Sequence, residues 1–343
     1  MNRRHPLGGS RPPRPRFSAV TVTVTDRIVG CLKGVATGDA IGKQTETLSR
    51  EDVLKSYSQG IQGFEGAPGT VIPRYVGNSK HQWRIGETTD DTERTIAVAR
   101  AITTEGTVSH VSVGREMLRC TKCLHPGLRS LWEFHQAADA TRIAREHDGC
   151  GAAIRVAPVG IFYKSDRLDE LVNGAREASI STHGGSLAIA AAAATAAAVS
   201  AAIDGASPGE ILVFAGRAAA QAERLWPGRD GPRFAEAVRT VDVSLRSLPA
   251  LLPDPVAALH FPNEPLTIVP LALGIATALQ SAEAAILLAA NIGGDSDSVA
   301  SIAGGILGAR CPSTVNERWY AVVQQVNDFD LVAIANQLAA LRH

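Results

Sequence analysis

The sequence predicts an all-α fold in a single domain, and three observations predict it. Apolar residues make up 45% of the 343 but aromatics only 5%, so the core must be built from Ala, Val, Ile and Leu. Alanine is the strongest helix former and lets helices pack closely. Apolar residues recur at helical spacing along most of the chain, whereas strand-like alternation is clear only at 20–24. Proline and glycine clusters at 126–127, 205–209, 227–232 and 253–265 punctuate the helices without dividing the chain into unlike halves, and there is no internal repeat. The expected architecture is one compact domain of orthogonally packed helices over 25–343. A basic, proline-rich arm over 1–24 precedes it and is expected to be disordered.

Thr25 or Asp26 can cap a first helix beginning at Arg27. In that helix Ile28, Cys31, Leu32 and Val35 form an apolar face, while Gly30, Gly34 and Gly38 fall four apart on another. An interior glycine costs ~1 kcal/mol relative to alanine, so this ridge implies the close approach of another helix or of a ligand. Residues 60–87, rich in glycine and polar groups, read as a long loop of the kind that is usually functional or mobile. Helices then follow at 91–104, 109–122, 131–146, 165–178, 184–203, 208–224, 233–247, 266–279, 281–290, 297–309 and 315–341. The uncharged stretch 184–203 is long enough to cross a membrane. It is almost wholly alanine and has no aromatic belt, so it reads as a helix buried in protein. The stretch 266–290 is interrupted by Pro270, Gln280 and Glu283 and fails as a span. No membrane association is expected.

Lys+Arg and Asp+Glu both number 34. Residues 1–16 hold five arginines and no acid, so the remainder is net acidic by five charges. That sign argues against a nucleic-acid surface, which needs clustered Lys and Arg. The five cysteines, Cys31, Cys120, Cys123, Cys150 and Cys311, are odd in number and irregular in spacing. They do not form a disulfide framework, and a reduced, cytoplasmic protein is expected. The first sixteen residues are not followed by the apolar stretch of a signal peptide.

The chemistry lies in two short motifs about two hundred residues apart. Gly86-Glu87-Thr88-Thr89-Asp90-Asp91-Thr92 opens the helix at 91–104, and Gly293-Gly294-Asp295-Ser296-Asp297-Ser298 opens the helix at 297–309. Helix capping alone favours such residues at a helix start, but one cap needs one of them. If the fold brings the two starts together, four carboxylates share a small volume and cannot all stay ionised unless a cation neutralises them. An all-oxygen set suits Mg²⁺, with Mn²⁺ acceptable; zinc would prefer His or Cys. The helix at 297–309 carries Ala300, Gly304 and Gly308 on one ridge and Ser301, Gly305 and Ala309 beside it. It is a natural partner for the Gly30–Gly34–Gly38 ridge, and that packing would bring the helix starts together.

Five ordered motifs resemble the ADP-ribosylglycohydrolase family, the group around dinitrogenase-reductase-activating glycohydrolase. They are Gly34-Val35-Ala36-Thr37-Gly38-Asp39-Ala40-Ile41-Gly42 followed by Glu46; Thr89-Asp90-Asp91-Thr92; the stretch from Gly149 to Pro158; Thr182-His183 before the alanine-rich helix; and the second aspartate motif. The resemblance runs from about residue 26 to 320. It implies a binuclear centre of two Mg²⁺ or Mn²⁺ ions on Thr89, Asp90, Asp91, Asp295, Asp297 and Ser298. It implies Glu46 as catalytic glutamate, on a mobile segment after the first helix, and Gly149, Cys150, Gly151 and His183 as contacts to the ribose and diphosphate. The activity implied is metal-dependent hydrolysis of the N- or O-glycosidic bond between ADP-ribose and a modified acceptor. Ser296 and Ser298 stand where threonines are commoner, which keeps the hydroxyls. Cys150 stands where the protein-demodifying members have asparagine, which removes an amide able to make several hydrogen bonds.

The partner implied is an ADP-ribosylated protein or a small ribosyl compound, met by a monomer. Three alternatives stay open: a hydrolase of a small N-ribosyl compound such as a nucleoside, toward which Cys150 leans; a non-catalytic ADP-ribose-binding member of the fold; and a metal-dependent phosphohydrolase. Cys120, Cys123 and His125 invite a zinc reading, but no second Cys pair accompanies them, and a structural role is expected. Arg155 is expected beneath the loop at 149–151 in an ion pair or a substrate contact, and Phe162 and Tyr163 in the core.

Overall fold

The computed structural model describes residues 21–228, 233–259 and 265–343. Residues 1–20 of the basic arm expected over 1–24 lie outside them. The chain forms sixteen α-helices among the described residues: α1 Val24–Gly42, α2 Arg50–Ser56, α3 Asp90–Glu105, α4 His110–Met117, α5 Arg129–Ala137, α6 Ala157–Phe162, α7 Leu168–Ser179, α8 Ser186–Ile203, α9 Pro208–Leu225, α10 Phe234–Arg246, α11 Pro253–Ala257, α12 Pro265–Ala278, α13 Ala282–Ile292, α14 Ser296–Arg310, α15 Glu317–Val326 and α16 Leu331–Leu341. No strand forms among these residues, and Val71 and Arg84 make one isolated antiparallel bridge. The all-α expectation holds.

Most helix bounds fall within a few residues of expectation, and the differences have local causes. Helix α1 begins three residues early. Thr23 Oγ1 accepts from the Asp26 amide at 3.1 Å while the Asp26 carboxylate accepts from the Thr23 amide at 2.8 Å, a reciprocal capping box. Val24 is therefore helical, and the strand-like alternation at 20–24 does not become a strand; Val20 itself lies outside the described residues. The expected helix at 131–146 stops at Ala138, in a left-handed conformation. Asp139 then turns the chain by accepting from the amide and hydroxyl of Thr141. The segment beyond it bonds to 180–185 instead, Ala144 N to Ile180 O and Gly184 N to Glu146 O. The expected helix at 315–341 is split into α15 and α16. The short helices α2, α6 and α11 are too brief to show a period and were not expected.

The molecule is organised by a seam between α1 and α14, its most extensive helix pair. The two run antiparallel, with Gly30 against the Gly308 carbonyl, Gly34 against Gly304, Gly38 against Ala300 and Gly42 against Ser296. A methyl group at any of these four glycines of α1 would fall far inside van der Waals contact with a backbone carbonyl. The glycine ridge thus lets backbone touch backbone, the close helix approach that its spacing predicted. The register has one consequence for the site: the last turn of α1 ends beside the first turn of α14.

Helix α8 is the one described helix long and apolar enough to cross a membrane by length and composition, and 89% of it is buried. It packs against α6, α7, α9 and α14. Alanine's small side chain is what allows four neighbours to close on one helix.

Candidate functional site

The first aspartate motif is held at both ends by side chains from elsewhere in the chain. Gly86 turns the backbone at φ 86°. Asn327, in the break between α15 and α16, donates to Gly86 O at 2.8 Å and accepts from the amide and hydroxyl of Thr88, both at 3.1 Å. That bracket is why the expected single helix is interrupted. On the other side Asp39, fully buried in α1, accepts from the Thr89 amide at 2.9 Å, from the Thr92 amide at 3.1 Å and from the Thr92 hydroxyl at 2.5 Å. Thr89 is the N-cap of α3, its hydroxyl accepting from the Asp91 amide. Capping thus occupies Thr89 and Asp39 and leaves Asp90 and Asp91 for something else. Asp90 pairs with Arg94 at 2.6 Å. Asp91 is 3% exposed, and its Oδ2 is buried with no hydrogen-bond partner.

The second motif is strapped to the segment that follows α1. Gly293 and Gly294 take φ of 83° and 71°, a conformation glycine supplies freely. Thr47 N donates to Gly294 O at 2.6 Å and Gly294 N to Leu48 O at 2.8 Å. Ser296 Oγ donates to Gly42 O at 2.9 Å and lies 3.1 Å from Thr45 Oγ1. Backbone hydrogen bonds thus join the residues next to Glu46 to the second motif. Asp295 is the N-cap residue of α14 but makes no side-chain cap bond. Asp297 and Ser298 are both buried, and the Ser298 amide donates to Asp297 Oδ1 at 3.1 Å.

The electrostatics show that the two motifs meet. Burial first, then the charges of Asp39, Asp90 and Asp295, hold the Asp91 carboxyl well above the usual carboxylate range. Burial and the charge of Glu46, with smaller effects of Asp295 and Asp91, raise Asp297 likewise, against the opposing pull of Lys43. Glu46 is half-buried, ion-paired with Lys43, with the Tyr75 hydroxyl 3.5 Å away. Lys43 itself is 4% exposed, lies 3.7 Å from Asp297 Oδ2 and stands over the Trp83 ring at 4.5 Å. Burial would discharge it, but Asp297 and Glu46 more than reverse that and keep it an ammonium.

The substrate-loop residues lie against the same cluster. Gly149 and Gly151 fold over the His183 ring, so closely that a Cβ at Gly151 would lie 2.7 Å from His183 Cε1. The ring is buried, with Thr182 Oγ1 at 2.7 Å from Nδ1 and Ser130 Oγ at 3.2 Å from Nε2. Burial, then the charges of Arg155, Arg94 and His147, keep it neutral by pushing its pKa well down. Cys150 Sγ lies 3.5 Å from Asp295 Oδ2. Burial and then Asp295 push this thiol well up, so it stays protonated and donates. Arg155 is fully buried and makes no ion pair among the described residues. It donates to the carbonyls of Gly151, Ala178 and Ser179 and to Thr182 Oγ1, tying the loop to the His183 turn. Its role is to brace the loop.

The fold therefore brings Glu46, Asp90, Asp91, Asp295, Asp297 and Cys150 into electrostatic range of one another, with Thr89 and Ser298 at the same helix starts. Among the described residues no three His, Cys, Asp or Glu side chains are grouped closely enough to hold an ion by themselves. The set implied by the resemblance also draws on the hydroxyls of Thr89 and Ser298. The donors are all oxygens, and one of them, Asp91 Oδ2, is buried and unpaired, so they fit a hard divalent cation. Three residues of this region went unassigned in the sequence: Asp39, Lys43 and Asn327. Asp39 was signalled by an acid inside an apolar, glycine-rich helix, and Asn327 by a polar run inside an expected helix. Cys120 and Cys123 are free thiols. Cys123 hydrogen-bonds toward Asp90, and burial, then that charge, push its pKa up. Phe162 and Tyr163 pack edge-on against each other and His343, in the core as expected. A cavity of about 420 Å³ lies behind the first motif, lined in part by Glu87, Thr88, Lys122 and Asn327; none of the six candidate metal positions lines it.

A family model described as ADP-ribosylglycohydrolase matches residues 21–343. The chain is 28% identical over 300 residues to an uncharacterized protein of Archaeoglobus fulgidus, covering 86% of this chain and 90% of the relative. It is 28% identical over 339 residues to the uncharacterized protein YegU of Escherichia coli K12, covering 93% and 98%. The ADP-ribosyl-(dinitrogen reductase) glycohydrolase of Rhodospirillum rubrum is 23% identical over 147 residues, 40% of this chain and 45% of that protein. Among solved structures, an ADP-ribosylglycohydrolase-related protein complex has the same fold, with a TM-score of 0.66 at 23% identity over 93% of this chain and 99% of that one.

Proposed function

The chain belongs to the ADP-ribosylglycohydrolase family, whose membership supports a glycohydrolase function, and on that footing we propose that it is a metal-dependent hydrolase of the bond between ADP-ribose and a modified acceptor. The observation that carries the metal dependence is the pair of carboxylate-bearing helix starts pressed together, with the Asp91 oxygen buried among like charges and unpartnered. Thr89, Asp90, Asp91, Asp295, Asp297 and Ser298 would hold Mg²⁺ or Mn²⁺. Such an ion, when bound, polarises ribose hydroxyls and lowers the pKa of water. Glu46, at the rim of the cluster, moves the proton of the attacking water. The ring of anionic oxygens favours the oxocarbenium-like transition state of glycoside cleavage over the neutral ground state. Gly149, Gly151 and neutral His183 shape the wall against which the ribose lies.

The test is an assay of the full chain with Mg²⁺, Mn²⁺ or EDTA. Substrates are ADP-ribosyl-arginine and ADP-ribosyl-serine peptides, O-acetyl-ADP-ribose and a panel of nucleosides. Metal-dependent release of free ADP-ribose is expected. Activity undiminished by EDTA would overturn the metal-dependent reading.

One observation favours a second reading, hydrolysis of a small N-ribosyl compound. Cys150 donates to Asp295 and offers no amide to a diphosphate. On the first reading Cys150→Asn restores one or two hydrogen bonds, each worth about 1 kcal/mol. It should then raise kcat/KM on ADP-ribosyl substrates roughly tenfold. Nucleoside turnover in the native chain that falls on the same substitution would establish the second reading instead.

A further inference from the structure

We infer that the Lys43 ammonium is a resident cation of this centre and that the chain accordingly takes one divalent ion, on the Asp91 side, where its resemblance implies two. The inference rests on the metal-dependent reading above and sets the number of ions in it.

The two ends of the carboxylate cluster are not alike. At one end Lys43 directly follows Gly42, the last residue of α1, so the α1–α14 seam that places Asp297 also places Lys43 opposite it. The ammonium is ion-paired with Glu46 and lies 3.7 Å from Asp297 Oδ2. Two aromatic rings close the remaining sides, Trp83 with its centroid at 4.5 Å and Tyr75 at 5.9 Å, and a cation over such faces is stabilised further when shielded from water. The side chain is 4% exposed, so it has no solvent to retreat into. Asp297 is correspondingly committed, Oδ1 to the Ser298 amide and Oδ2 toward the ammonium. A divalent ion seated on Asp297 would sit beside a fixed positive charge at short range.

At the other end the balance is reversed. Asp91 Oδ2 has no partner, and the like charges of Asp39, Asp90 and Asp295 outweigh that of Arg94 in acting on it. The Arg94 guanidinium nearby pairs with Asp90. With Arg94 committed to Asp90, Asp91 still presents an unpaired oxygen to a further cation, whereas at the Lys43 end both Asp297 oxygens are engaged. A single ion suffices for the chemistry proposed, because orienting the ribose and activating one water need one Lewis acid, and Lys43 supplies the second positive charge.

The experiment is Mn²⁺ titration of the full chain by calorimetry, with the electron paramagnetic resonance spectrum of the loaded protein and its metal content after dialysis. One Mn²⁺ per chain with the spectrum of an isolated ion is expected for the native protein and for Lys43→Arg. Lys43→Met and Lys43→Gln, checked for native folding by circular dichroism, should each gain a second Mn²⁺ and the broadened spectrum of a spin-coupled pair. Two ions and a coupled spectrum in the native chain would overturn the role of Lys43 while leaving the metal-dependent reading intact. A second ion that fails to appear in either folded variant would overturn that role as well. No Mn²⁺ bound to any form would overturn both. The native stoichiometry decides the matter even if neither variant folds.

Discussion

Asp91→Asn is expected to stabilise the metal-free protein by about 1–3 kcal/mol, the cost of leaving a buried polar oxygen unpaired, while lowering metal-dependent turnover by two to three orders of magnitude, the roughly hundred- to thousandfold scale of losing one electrostatic contact to a transition state. Two effects of opposite sign are what distinguish a site from a structural element. Asp91 is almost completely buried, its Oδ2 lacks a partner, and burial together with Asp39, Asp90 and Asp295 opposes its ionisation. Asparagine has the same shape, carries no charge and can donate its amide hydrogens to the neighbouring carboxylates. It therefore relieves the repulsion while surrendering an anionic ligand. Calorimetric melts with and without Mn²⁺ would check this. The native protein should gain stability with ligand, by about 2.7 kcal/mol at a hundred times Kd, and the variant should gain little. A metal-free variant that melts below the native protein would mean that Asp91 supports the fold, contrary to the idea of strain held at a functional site.

The parts of this fold legible in the sequence are those governed by spacing. The glycines at 30, 34 and 38 and the Ala300–Gly304–Gly308 ridge each announce a close helix contact, and their packing against each other follows because few other surfaces are so bare. The convergence of the two aspartate motifs follows in turn, since each motif stands at an end of that seam or is pinned to it. Less legible were residues whose role depends on a partner far away in the chain. Asp39 reads as a puzzling acid in a buried helix until Thr89 and Thr92 are set against it at hydrogen-bonding distance. Asn327 reads as one polar residue in a long helix until its amide is found bracketing Gly86 and Thr88. Lys43 reads as one basic residue after a helix end until Trp83, forty residues on, and Asp297 are set around it in three dimensions. Helix ends were missed where a local side-chain bond outweighed periodicity, as at Thr23 and Asp139.

The seam that made the fold legible is also where a single methyl group should do most harm. Gly34→Val is expected to cost more than about 3 kcal/mol, at or beyond the usual range for overpacking. Its Cβ would meet the backbone carbonyl and amide of α14 at Gly304 and Gly305, with no flexible side chain there to move aside. The helices must separate, and the register between Gly42 and Ser296 goes with them. Asp39 on α1, which holds the Thr89 and Thr92 amides on either side of Asp91, shifts with the helix, so Mn²⁺ affinity should fall even in the fraction that stays folded. Gly216→Ala on α9 is the matched control, because nothing lies within 4 Å of its added Cβ. It should gain up to about 1 kcal/mol from helix propensity alone and leave Mn²⁺ binding unchanged. Urea titration and Mn²⁺ calorimetry on both variants measure stability and site separately. A Gly34→Val protein within about 1 kcal/mol of native would show that α1 and α14 can part cheaply. One that is destabilised but binds Mn²⁺ natively would show that the site keeps its geometry without the seam.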